Sequence, residues 1–130
     1  MKLGYTIVYV NDVAASLGFF ERAFGLPRRF LHESGAYGEV ETGATALGFA
    51  QHATARGNLG LDYVAADASK SPLGMELGLV TDDVAAACKK AVEAGATLLS
   101  APVTKPWGQT VAYVRCPDGT LVELCTELKG

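Results

Sequence analysis

The stretch "DVAASLGFFERAFG", residues 12–25, and the stretch "DVAAACKKAVEAG", residues 83–95, open on the same four residues and close on a glycine. Asp83 stands 71 positions after Asp12, and the offset slips to 70 by Gly25 and Gly95. Similarity at a fixed offset over half a chain marks a duplicated unit. Each stretch reads as a helix. Asp12 and Asp83 can accept from the free amides of a first turn, and the glycines suit the left-handed residue that ends a helix. Val13, Leu17, Phe20 and Phe24 fall on one stripe, as do Val84, Cys88 and Ala91, so each helix has a face to bury.

Strands surround both helices in the same order. "LGYTIVYV" precedes the first helix, and "RRFLHE", "AYGEVET" and "TALGFAQ" follow it. "MELGLVT" precedes the second, and "ATLLSA", "QTVAYVRC" and "TLVELCTE" follow, with Pro117-Asp118-Gly119 as the last tight turn. The pattern predicts an α+β chain of two tandem βαβββ modules, residues 1–50 and 75–130. Residues 51–74, mixed and without clean periodicity, read as a linker.

At 130 residues, 49% hydrophobic and 19% charged, the chain suits one compact domain. A net charge of −3 and eleven scattered Lys and Arg residues offer nothing to a phosphate backbone. No run is long enough to span a bilayer, and "MKLGYTIVYVNDV" turns polar where a signal peptide would stay apolar. A cytoplasmic protein with neither nucleic-acid nor membrane partners is expected. Cys88, Cys116 and Cys125 lack paired spacing and read as reduced, packed thiols.

Together with the duplicated modules, "YVNDVAASLGFFERAFGLP" and the ending "VRCPDGTLVEL" resemble the vicinal oxygen chelate superfamily, which holds glyoxalase I, extradiol dioxygenases and the bleomycin- and mitomycin-resistance proteins. The resemblance covers nearly the whole chain. It implies that each module curls into a half-barrel and that two half-barrels enclose a cavity. In metal-dependent members a first-strand ligand, usually His, stands seven residues before the helix-starting Asp. Those positions are Tyr5 and Glu76 here. The fourth-strand ligand, usually Glu, matches Glu123 in "TLVEL" and Gly48 in "TALGFAQ".

Alternation puts Leu121, Glu123 and Cys125 on one face of the last strand, with Val122 and Leu124 packing on the helix. Glu123 is then a cavity residue, or else a strand glutamate ion-paired with Arg115 or Lys105. Tyr5, Ile7 and Tyr9 share a face of the first strand, and Glu76, Gly78 and Val80 a face of the fifth. That gives aromatic and apolar walls with a few acidic points. Trp107 either stacks on a bound aromatic molecule or forms a rim at a dimer contact. Without histidine in the matched positions, a catalytic metal is poorly provided for; if one binds, Glu76 and Glu123 are its ligands. No cofactor is expected, and an extradiol dioxygenase, needing two His and one Glu, is disfavoured. His32 and His52 read as surface residues, with His52 a candidate for the cavity mouth.

Two functions follow as expectations. One is a metal-free protein binding a small, antibiotic-like organic molecule, aromatic or cationic, through Tyr5, Ile7, Tyr9, Gly48, Glu76, Trp107 and Glu123. The other is a glyoxalase-like lyase or isomerase with Glu123 or Glu76 as catalytic base, with or without a divalent metal. A homodimer is expected, because each half-barrel leaves exposed edges.

Overall fold

A computed structural model describes residues 1–129. The first module comprises β1 (Tyr5–Val10), α1 (Val13–Phe24), β2 (Arg28–Leu31), β3 (Tyr37–Val40) and β4 (Ala46–Gln51). The second comprises β5 (Glu76–Val80), α3 (Val84–Ala94), β6 (Thr97–Thr104), β7 (Thr110–Arg115) and β8 (Leu121–Cys125). Each forms a four-stranded sheet, ordered β1-β4-β3-β2 and β5-β8-β7-β6. In each the first strand pairs parallel with the fourth, and the others pair antiparallel.

The helices form where the repeat places them. Asp12 accepts from the Ala15 amide at 3.1 Å and Asp83 from the Ala86 amide at 3.0 Å. Gly25 ends α1 at φ 69°, a conformation in which a Cβ would crowd the backbone. Val13, Leu17 and Phe20 are buried, as are Val84, Cys88 and Ala91. On the sheets Val10, Val122 and Leu124 point inward as alternation requires. All three cysteines are free and buried.

The helices also pack on each other, so one continuous core runs through both modules. The two sheets of one chain therefore form two open half-barrels rather than one closed barrel. Their concave faces stay open to solvent: Tyr5 is 64% exposed and Val80 63%.

Residues 51–74, expected as a linker without clean periodicity, form the crossover between the modules. It carries α2 (His52–Leu59) and a single 3-10 turn at Ala66–Ala68. Only Ala55 of α2 is buried, so the helix lacks the apolar stripe by which the other two are recognised. Among the described residues no helix is long and apolar enough to cross a membrane.

Candidate functional site

Strand register shows how the duplication distributes the candidate residues. Ile7 lies opposite Gly48 in the first sheet, and Gly78 opposite Glu123 in the second. Tyr5 lies opposite Ala46, and Glu76 opposite Leu121. Gly48 and Glu123 thus occupy equivalent places, as do Tyr5 and Glu76. The chemistry at these places differs between the modules.

In the second sheet the Glu76 and Glu123 side chains come within hydrogen-bonding reach of each other. A hydrogen bond between two carboxyl groups requires a shared proton. Glu76 is accordingly pushed above the usual glutamate range, first by that bond, then by burial and by the Glu123 charge. Tyr113 faces Glu123 across the β7–β8 ladder. Its phenol is held above its ordinary value first by burial and then by the charges of Glu123 and Glu76. Burial and the same two charges raise Cys125. Two carboxyls, a phenol and a thiol therefore share one face, bordered by Leu121.

The first sheet fills the corresponding space. Glu39, opposite Gly48, is 4% exposed. It accepts from the Tyr37 hydroxyl at 2.7 Å and from Arg29 at 3.4 Å. The Tyr37 ring lies over Gly48 so closely that a Cβ there would stand under 3.0 Å from its hydroxyl and ring carbons. Gly48 is thus a floor for Tyr37. Burial and the Glu39 partner raise the Tyr37 phenol well above its ordinary value.

Arg115 and Trp107 each have hydrogen-bond partners other than the glutamates. Arg115 donates to the carbonyls of Ala66 and Ser69 at 2.8 and 2.9 Å, tying the crossover to β7 instead of pairing with Glu123. Gly119 permits this approach, since a Cβ there would run into the Ala66 carbonyl. Trp107 is 60% exposed at the β6–β7 turn and donates to Gln109 at 3.0 Å. His32 caps the β2–β3 turn through Ser34.

Sequence reading missed a group on the crossover. His52 bonds Tyr63 through Nδ1 and Asp67 through Nε2, the latter at 3.0 Å. Tyr63 also packs on Tyr9, with ring centroids 4.9 Å apart, while the Arg56 guanidinium lies 4.8 Å from its ring centre. His52 partners lie 11 and 15 positions away, with no local pattern to link them. Below Tyr63 a crevice of about 180 Å³ opens between the modules, reaching Ile7, Tyr9, Leu73, Glu76 and Leu121.

The family profile described as Glyoxalase/Bleomycin resistance protein/Dioxygenase superfamily matches residues 2–124. The chain belongs to that superfamily. No curated relative matches the sequence. Among solved structures, the chain is similar to a glyoxalase-related enzyme from Fulvimarina pelagi, with 21% identity, TM-score 0.83, and 98% of this chain and 88% of that one covered. It is similar also to a glyoxalase/bleomycin resistance protein/dioxygenase family enzyme from Burkholderia phytofirmans PsJN, with 23% identity, TM-score 0.82 and coverage of 97% and 98%. A third is TioX from Micromonospora sp. ML1, at 18% identity and TM-score 0.69, covering 98% and 100%. At these identities the likenesses show a shared fold.

Proposed function

We propose that this chain binds a small organic molecule, aromatic and cationic, on the concave face of the second sheet without a catalytic metal. The observation that carries the reading is geometric: the strand registers put Glu76, Glu123 and Tyr113 on one face of the second sheet. Two carboxyls side by side concentrate negative charge and acceptor oxygens, suited to an ammonium or amidinium group. The open apolar surface beside it, Ile7 and Val80 among it, suits a flat body.

The donor set fits a catalytic transition metal poorly. Matching positions offer a phenol at Tyr5, nothing at Gly48, and carboxylates at Glu76 and Glu123, whereas such sites favour imidazole. Glu39 cannot readily substitute, being engaged by Tyr37 and Arg29.

The same pair supports a second reading, a glyoxalase-like lyase or isomerase. An ionised and a neutral carboxyl can take a proton beside a carbonyl and return it to a neighbouring carbon. A thermal-shift screen over aromatic amines, aromatic antibiotics, thiol conjugates and oxo-acids tests both, since a ligand of the native state raises Tm. The binding reading expects cationic aromatics to stabilise the protein, with the effect lost in Glu76→Gln and Glu123→Gln. Stoichiometric nickel, zinc or iron in protein purified without chelator, lost with turnover in Glu123→Gln, would overturn it.

A further inference from the structure

The crevice under the crossover has walls that are fixed from outside it. Tyr63 is gripped by Tyr9 on its ring, by Arg56, and by His52 on its hydroxyl. Asp67 accepts from Nε2 of His52, which therefore carries a hydrogen, and Nδ1 meets the Tyr63 hydroxyl. Arg56 is itself tied to Asp62 at 2.9 Å. On the far side Arg115 holds the crossover down through the Ala66 and Ser69 carbonyls. A surface loop has no need of so many fastenings.

Concave apolar surface with one convergent charged group is the usual form of a small-molecule site. The space lined by Tyr9, Tyr63, Ile7, Leu73 and Leu121 is about 180 Å³ and opens to solvent, Ile7 being 43% exposed. An apolar cavity of about 150 Å³ accepts benzene, so by volume this crevice has room for a single substituted ring. Its one carboxyl is Glu76, which also belongs to the pair on the sheet.

We propose that this crevice, made within one chain, seats the apolar body of the ligand: one substituted ring, attached through a short arm to a cationic nitrogen that reaches Glu76. His52 is a positioning residue that acts through Tyr63. The assignment rests on the reading of the glutamate pair as the site of the cationic head, and adds where the body goes and how large it is.

The test is a titration of the full chain, labelled on its methyl groups, with 4-ethylbenzylamine, 4-ethylbenzyl alcohol and 4-ethylbenzoate, followed by NMR. The amine is expected to shift the Ile7, Leu73 and Leu121 methyls at submillimolar concentration, the alcohol to shift them at roughly tenfold higher concentration, and the benzoate to leave them unmoved. Glu76→Gln should bring the amine to the level of the alcohol. His52→Ala should weaken amine and alcohol by the same factor, because it loosens a wall and leaves the charge in place. Leu73→Trp, which fills the crevice, should abolish both; wild-type shift mapping stands in should that variant not fold. Amine binding that depends on Glu76 and Glu123 but shifts methyls elsewhere would overturn the crevice assignment and leave the pair reading standing. Ring binding in the crevice indifferent to charge and to Glu76→Gln would overturn the pair reading, and with it the cationic arm. Millimolar amine without any shift would overturn the assignment.

Discussion

Glu76 and Glu123 answer to pH in a direction that follows from their contact. Glu76 holds its proton more tightly in the folded chain than in the unfolded one. Its contribution to stability is therefore present below the ordinary glutamate range and lost as pH rises through the raised folded value. Glu76→Gln keeps the hydrogen bond without the ionisation, so its Tm should exceed wild type at pH 8, with the gap closing towards pH 4. A gap independent of pH in thermal melts would mean that the two carboxyls do not share a proton. Gly48 makes a different demand. A methyl group there meets the Tyr37 ring, and overpacking of this kind costs about 1–3 kcal/mol. Gly48→Ala should lower urea stability by that amount in wild type and by less in a Tyr37→Ala background. Equal losses in both backgrounds would remove Tyr37 as the cause.

At the scale of elements, the duplicated helices were legible because their signals are local. An aspartate at the start, a glycine at the end and apolar residues three or four apart need no knowledge of the rest of the chain. The face of β8 was legible for the same reason, since alternation alone separates Glu123 from Val122 and Leu124. The expected equivalences of Tyr5 with Glu76 and of Gly48 with Glu123 agree with the ladder registers. The crossover was illegible because α2 buries only Ala55 and its contacts are long-range. Arg115 reaches back 49 and 46 positions to Ala66 and Ser69. The Tyr37–Glu39 pair over Gly48 was hidden likewise, since glycine reveals nothing of what fills its place. Hydrogen bonds from a charged donor are worth about 1.5–3 kcal/mol each when well formed, and these are partly solvated. Arg115→Ala should therefore cost about 1–3 kcal/mol in urea melts, with faster amide exchange over residues 60–74 than over β7. Unchanged exchange in the crossover would show that Gly119 and the His52 contacts suffice to hold it.

At the scale of the whole molecule, helix packing turns both concave faces outward and leaves apolar surface in water. Tyr5, Val80 and Trp107 are each 60% exposed or more, and Leu98, Leu99 and Val103 on β6 more than 40%. Every residue of β6 is exposed, and a long unpaired edge strand is a hazard that proteins cover or disrupt; Pro102 disrupts this one only in part. A second copy related by a two-fold axis is the occupant expected for such a surface, laying the first sheet of one chain over the second sheet of the other. A standard interface takes about 800 Å² from each partner, and the single chain exposes 7716 Å², so a tenth of its surface is enough. Sedimentation equilibrium is expected to give a dimer at micromolar concentration. Val80→Asp, which places a charge on the open face of β5 without touching the core, should shift the protein to monomer with its helical signal intact. A wild-type monomer at that concentration, or a Val80→Asp dimer as tight as wild type, would show that the concave faces do not meet.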